Sequence, residues 1–92
     1  MIFEWDQDKA ESNFKKHKIA FEEAEGVFYD PLSLTIPDPE HSVDEFRFVD
    51  IEISKNNRLL IIAYTEREDR IRIITARKAT KTERQKYEEK NR

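Results

Sequence analysis

The stretch RLLIIAYTEREDRIRIITAR at positions 58–77 constrains the fold more than any other part of the sequence. It begins with a nearly unbroken apolar run from Leu59 to Tyr64, which is too short for a typical helix and rich in isoleucine. After a charged break, apolar residues return at Ile71 and Ile73. This pattern predicts a central hairpin of two buried strands, the first covered on both faces.

The register of this hairpin decides where its arginines lie. With Glu68–Asp69 as the turn, Arg67 lies opposite Arg70. In the same register, Thr65 lies opposite Arg72. Because side chains alternate across a strand, the three arginines then share one face near the turn. Either they bind an anion that relieves their mutual repulsion, or they solvate a sheet edge and pair with the acidic residues around the turn.

Composition places the chain among small globular domains. It has 92 residues, of which 40% are charged and 37% hydrophobic, so we expect one domain over residues 1–92 with a thin core. Cysteine is absent, which excludes disulfides and thiolate sites. The N-terminus does not resemble a signal peptide, and no apolar stretch approaches the ~20 residues of a membrane span. We therefore expect a cytoplasmic protein without membrane association.

Charge is distributed unevenly along the chain. The net charge of −3 is the sum of −8 over residues 1–57 (6 basic, 14 acidic) and +5 over residues 58–92 (11 basic, 6 acidic). A positive C-terminal third can hold phosphate groups, because a local field acts on an anion within a screening length of ~8 to 10 Å. It can equally neutralise the acidic remainder or dock an acidic protein.

Helix signals begin near the N-terminus. Asp6 is a candidate N-cap for a helix over residues 7–17, which has an acidic first turn and a basic last turn. Ala10, Phe14 and His17 fall on one stripe, which predicts a buried face with His17 at its edge. A histidine there is either a packed core residue or a group that transfers protons near neutral pH.

A second helix and two strands follow. Phe21, Ala24 and Phe28 share one helical face, and the helix ends at an Asp-Pro pair. Alternating apolar residues predict strands over residues 32–36 and 45–54. Together with the hairpin, these strands make a sheet of four.

The loop between those strands contains Asp38, Glu40 and His41, three residue types that bind metals. Adjacent loop residues without a distant partner rarely complete a metal site. We therefore expect neither a metal nor another cofactor.

The fold class follows from the order of these elements and the end of the chain. Arg47 heads an otherwise apolar face of the second strand, and a tight turn ending at Asn57 leads into the hairpin. Thr80 and Glu83 form a capping-box pattern that begins a C-terminal helix with Tyr87 as its one large apolar residue. The sequence predicts an α+β domain with two N-terminal helices, a four-stranded antiparallel sheet and a C-terminal helix, the helices lying on one face.

Six blocks of sequence carry a family resemblance over nearly the whole chain. They are FEWDQDKAESNFKKH (3–17), FEEA (21–24), VFYDP (27–31), DPEHS (38–42), RLLIIAYTER (58–67) and RIRIITARKATKTERQKYEE (70–89). In their order and spacing, the chain resembles the BrnT family of bacterial type II toxins. The resemblance implies a RelE-like fold and a ribonuclease that pairs with the antitoxin BrnA.

The resemblance also implies a chemistry. Toxins of this kind cut RNA without a metal, by attack of a ribose 2′-hydroxyl on the adjacent phosphate, and so need a base, cations and a proton donor. Arg67 and Arg77 are the leading candidates for stabilising the transition state. The other candidates are His17 as the base with Lys16 beside it, Tyr64 as a donor or stacking ring, and Arg47, Arg70 and Arg72 as ligands of the RNA backbone.

The implied partners follow from the same resemblance. In the family, the antitoxin carries a ribbon-helix-helix DNA-binding part, so we expect a heterotetramer of two toxins and two antitoxins that contacts DNA only through the antitoxin. Cleavage of RNA by such a toxin inhibits translation. The alternative is a non-catalytic subunit that binds the antitoxin within a DNA-binding repressor complex.

Overall fold

A five-stranded sheet with helices on both faces forms the part of the chain that the computed structural model describes, residues 2–27, 34–37 and 47–91. The elements in chain order are β1 (Ile2–Glu4), α1 (Gln7–His17), α2 (Phe21–Val27), β2 (Leu34–Pro37), β3 (Arg47–Ile53), β4 (Leu59–Arg67), β5 (Arg70–Lys78) and α3 (Lys81–Lys90). The strand order is β1-β5-β4-β3-β2. The predicted α+β class is confirmed.

The prediction of a four-stranded antiparallel sheet is wrong, because the sheet is mixed and has a fifth strand, β1. This strand pairs in parallel with β5 and places Ile2 beside Arg70 and Glu4 beside Arg72. Three residues are too few to show the alternation from which a strand is predicted. The strand is held by its backbone pairing with β5 and by Phe3, which packs against the core.

The other element bounds agree with the sequence where the structure describes them. The predicted helix over residues 7–17 is α1, and the predicted strand over residues 45–54 contains β3. The predicted strand over residues 32–36 overlaps β2, which extends one residue farther, to Pro37. Asn57 ends its turn with a left-handed φ of 61°. Within the described ranges, no three side chains come together as a metal site, and no helix has the length and apolarity to cross a bilayer. The residues Phe28, Asp38, Glu40 and His41 lie outside those ranges.

The central hairpin has the predicted register. Arg67 pairs with Arg70, and Thr65 pairs with Arg72. The turn between the strands has Glu68 in the left-handed region, at φ 56°. The three arginines therefore lie on one face, as their alternation along the strands predicts.

A β-bulge at Ile74 interrupts the regular alternation of β5, because the pairing with β4 shifts there by one residue. Ile73 and Ala76 both face the core although they are three residues apart. For the same reason, Arg72 and Arg77 lie on one face although they are five residues apart. The bulge thus extends the basic face along β5.

The larger core lies between the sheet and the two N-terminal helices. Its buried residues are Ile19, Phe21, Ala24, Leu60, Ile62, Tyr64, Ile71, Ile73 and Ala76. Asp6 begins α1 as predicted, accepting hydrogen bonds from the backbone amides of Asp8 at 2.8 Å and Lys9 at 3.2 Å. Trp5 closes one side of this core by an edge-to-face contact with Phe21.

The C-terminal helix lies on the opposite face, so the prediction that all helices share one face is wrong. Tyr87 is buried there against Ile51, Leu59 and Ile61. The physical reason is that alternate residues of β4 are apolar on both sides, and the second side also needs a cover. The capping box that begins this helix is confirmed.

Asn13, and not Phe14, is the residue of α1 that faces the sheet. Its side-chain amide accepts from Ala76 N at 3.1 Å and donates to Ala76 O at 2.8 Å. It also donates to Ile19 O at 3.1 Å. Phe14 is 50% exposed, which contradicts its predicted burial. The amide takes the inward position because it satisfies both backbone groups of Ala76 on the side of β5 away from β4.

Replacing Asn13 by alanine should therefore destabilise the fold. The change leaves buried backbone groups of Ala76 and Ile19 without partners, and we expect a loss of about 2 to 3 kcal/mol in the free energy of unfolding. Urea unfolding of the two proteins measures the difference. Ser12→Ala, an exposed change on the same helix, is the control and should stay within about 0.5 kcal/mol. Equal stability of Asn13→Ala and the control would contradict this account.

Candidate functional site

Four arginines lie near the β4–β5 turn on the sheet face that is turned away from α1 and α2. The register places them in two adjacent rungs, a rung being the residues paired directly across neighbouring strands. One rung contains Arg67 and Arg70, and the next contains Arg47, Thr65 and Arg72. Neighbouring rungs on one face are about 7 Å apart. We refer to the four arginines as the arginine face.

Glu4 on β1 adds a carboxylate to this face. Its oxygens lie 3.4 Å from Arg70 Nη1 and 3.9 Å from Arg72 Nη1. The contacts are long and partly exposed, since 56% of the Arg70 side chain is accessible. Such pairs contribute little stability and exchange readily for another anion.

Arg77 lies farther along the same face and is held by α3. Its Nη1 and Nη2 atoms donate to the two carboxylate oxygens of Glu83, each at 2.8 Å. Hydrogen bonding from Arg77 lowers the pKa of Glu83 to about 2, and the backbone amide of Thr80 adds to the effect. Glu83 also closes the capping box, so Arg77 is fixed to the start of the helix.

Arg67 and Arg77 share a face but not a pocket. Arg77 pairs with Ile61, which is six residues along β4 from Arg67. Six residues of strand span about 20 Å, a distance over which two arginine side chains do not meet at one phosphate. The two candidates for transition-state stabilisation therefore contact different groups of any extended ligand.

His17 and Lys16 lie on the other side of β5, at the C-terminal end of α1. They line a groove of about 410 Å³ between α1 and β5. The groove is formed by Asp8, Lys9, Ser12, Asn13, Lys16, His17, Ile74 and Thr75. His17 is half-buried and Lys16 is exposed. The structure does not bring these two residues together with the arginine face.

Tyr64 is a core residue on the same side of the sheet as α1 and α2. It is only 4% exposed, and its hydroxyl donates to Asp50 Oδ1 at 2.9 Å. Burial and the Asp50 charge raise the pKa of Tyr64, and its ring stacks on Phe48 at 5.7 Å between centroids. The structure thus places Tyr64 in the packing of the core, on the sheet face opposite the arginines.

The chain matches the family described as "Ribonuclease toxin, BrnT, of type II toxin-antitoxin system" over residues 5–83. It belongs to the BrnT family. The structure is similar to the 1.1 Å crystal structure of the ribonuclease toxin BrnT of Brucella abortus, with a TM-score of 0.68 and 18% sequence identity over 88% of this chain and 100% of that one. This likeness shows a shared fold. No curated protein matches the chain in sequence. Membership of a type II toxin–antitoxin family implies an antitoxin partner.

Three residues of this candidate site were not predicted as site residues from the sequence. Glu4 reaches the arginines only because β1 pairs with β5. Glu83 is visible in the sequence as a capping residue, but its contact with Arg77 is not. Thr65 could have been found from the sequence, because the predicted hairpin register already placed it opposite Arg72.

The Arg77–Glu83 pair should make the stability of the fold depend on acid pH. Because the pKa of Glu83 in the folded chain is lowered from 4.5 to about 2, the pair stabilises the fold above pH 4.5, and this contribution is lost as the pH falls towards 2. Glu83→Gln keeps the size of the side chain but removes this titration. We expect the free energy of unfolding to fall less steeply between pH 5 and 2 in Glu83→Gln than in the wild type.

Urea unfolding at several pH values measures this slope. Glu88→Gln, which changes an exposed carboxylate on the same helix, is the control and should follow the wild type. A Glu83→Gln curve parallel to the wild-type curve would show that the pair adds no pH-dependent stability.

Proposed function

We propose that this chain is a metal-independent endoribonuclease whose arginine face binds the RNA backbone. The observation that carries the proposal is the gathering of four arginines into two adjacent rungs, in a chain whose family is described as ribonuclease toxins. Guanidinium groups remain charged at any working pH and bind phosphate oxygens with two nitrogens. A face of this kind suits an anionic polymer better than a small molecule.

The proposed reaction is attack of a ribose 2′-hydroxyl oxygen on the adjacent phosphorus. The new O2′–P bond replaces the P–O5′ bond, a base takes the 2′-hydroxyl proton, and the departing O5′ atom takes up a proton. Arg77 stabilises the charge of the pentacoordinate phosphorus. About 20 Å along the strand, Arg67 holds a neighbouring part of the RNA backbone together with Arg47, Arg70 and Arg72.

His17 is our proposed base, with Lys16 beside it. It lies across β5 from the arginine face, but β1 pairs with only the first three residues of β5, Arg70–Arg72. Beyond these residues, the edge of β5 separates the groove of His17 from the face of Arg77. An RNA strand that crosses this edge contacts both surfaces.

The partner and cellular effect are proposed on the family likeness. The antitoxin is BrnA-like, with a ribbon-helix-helix domain through which a complex of two toxins and two antitoxins contacts DNA. Free toxin in the cytoplasm cuts RNA and so inhibits translation. We also propose that the fold is RelE-like.

The double change Arg67→Ala with Arg77→Ala should leave a folded protein that has lost at least 100-fold in RNA cleavage. The reason is the removal of two cations from the phosphate-binding face, one of them in contact with the reacting group. Cleavage of a labelled oligoribonucleotide, with a chelator present and the protein stripped of antitoxin, measures the rate. Arg84→Ala, an exposed arginine of α3, is the control and should cleave as the wild type does.

Full cleavage by the double variant would overturn the roles of both arginines. Loss of cleavage on addition of the chelator would overturn the metal-independent mechanism. A wild-type protein that binds antitoxin but cuts no RNA would favour the alternative, a non-catalytic subunit of a repressor complex.

His17→Ala should lower the cleavage rate by about 100-fold or more and leave the affinity for uncleavable RNA unchanged, since a base acts on the chemical step. Single-turnover cleavage measures the effect on the chemical step, and a separate binding measurement gives the effect on RNA affinity. Lys15→Ala, an exposed change on the same helix turn, is the control. Unchanged cleavage by His17→Ala would assign the base to another group.

A further inference from the structure

The hydroxyl of Thr65 is buried at the centre of the arginine face without a hydrogen-bond partner. Thr65 is 0% exposed, and its Oγ1 atom is one of two buried side-chain atoms without a partner among the described residues. Most buried hydroxyl groups in proteins have a partner, because losing water without gaining a hydrogen bond is unfavourable. The position therefore needs a physical explanation.

Packing does not supply that explanation. Valine has nearly the shape of threonine, fits a strand at least as well, and has no polar atom to bury. A hydroxyl at this place is a cost to the fold in the absence of a ligand. Polar groups that cost stability are typical of sites that serve binding or catalysis.

The neighbours of Thr65 point to the ligand. In its rung, Arg47 of β3 lies on one side and Arg72 of β5 on the other. Side chains directly opposite each other on neighbouring strands have Cβ atoms about 5 Å apart. Two arginine side chains thus start on either side of a hydroxyl that has a hydrogen to donate, and all three groups complement the oxygens of a phosphate.

The weak contact between Arg72 and Glu4 leaves Arg72 able to bind another anion. Its one measured carboxylate contact among the described residues is with Glu4, at 3.9 Å, and 32% of its side chain is accessible. A phosphodiester, which carries one negative charge, competes easily with a carboxylate held at that distance. The Arg72 guanidinium can therefore leave Glu4 for a phosphate bound at Thr65.

We infer that Thr65 is a phosphate-binding residue whose hydroxyl donates to a backbone phosphate of bound RNA, between Arg47 and Arg72. The inference rests on the proposed function and adds to it the place where one phosphodiester is seated. Arg67, in the adjacent rung, is about 7 Å along the strand and reaches the same phosphate. No covalent step involves Thr65.

The experiment measures binding separately from cleavage. A fluorescent 2′-O-methyl oligoribonucleotide lacks the attacking hydroxyl, so its affinity is read by fluorescence anisotropy without turnover. Thr65→Val removes the hydroxyl and keeps the shape, whereas Thr65→Ser keeps the hydroxyl. Thr82→Val changes an exposed threonine of α3 and serves as the matched control. The melting temperature of each protein is measured alongside.

For Thr65→Val we expect affinity to fall about tenfold or more, as for the loss of a hydrogen bond to a charged group, while the melting temperature stays equal or rises. Thr65→Ser should bind within about threefold of the wild type, and Thr82→Val should match the wild type. This opposition between affinity and stability separates a ligand-binding role from a structural one.

Three outcomes would overturn the inference. Wild-type affinity in Thr65→Val would show that the hydroxyl does not contact the phosphate. A lower melting temperature in Thr65→Val would show that the hydroxyl has a structural partner. A wild-type protein that neither binds this oligoribonucleotide nor cleaves RNA would remove the proposed function as well, whereas RNA cleavage with normal Thr65→Val binding would remove only the role of Thr65.

Discussion

Burial of β4 on both faces is the constraint on which the rest of the structure depends. Leu60 and Ile62 are fully buried on one face, and Leu59 and Ile61 are almost fully buried on the other. Such a strand needs cover on two sides, so α1 and α2 occupy one face and α3 the other. With 10 residues, α3 is about 15 Å long, whereas the 9 residues of β4 extend about 30 Å. The helix therefore covers the end of β4 beneath Tyr87, and in the described part of the chain the other end carries the arginines.

The arginines of this chain are held in two different ways. Arg58 and Arg77 each donate two hydrogen bonds to a single carboxylate, that of Glu23 and Glu83 respectively. These bonds lower the pKa of both acids, which marks the pairs as fixed parts of the fold. On the arginine face, the contacts with Glu4 are longer and more exposed. An entering anion meets less competition at Arg70 and Arg72 than at Arg77, where it must first displace Glu83.

Features that depend on local chemistry were predictable from the sequence. The caps at Asp6 and Thr80, the start of α1 and the register of the hairpin follow from spacing rules that act over a few residues. The inward position of Asn13 was not predictable, because it depends on the backbone groups of Ala76, 63 residues away. Periodicity instead favoured Phe14, the more apolar neighbour. The strand β1 and the position of α3 were missed for the same reason, since both are decided by surfaces that distant segments present.

The candidate site was less predictable than the fold, because pairing between strands decides which of its charges are neighbours. Arg72 and Arg77 would lie on opposite faces of a regular strand, and a bulge without a clear mark in the sequence places them on one. The net charge of −3 suggests that the protein binds an anionic polymer poorly. However, Glu23 and Glu83 pair with Arg58 and Arg77, which lie outside the arginine face. Because screening limits each charge to its neighbourhood, attraction for a phosphate is determined by the charges near the two arginine rungs, and not by the sum over the chain.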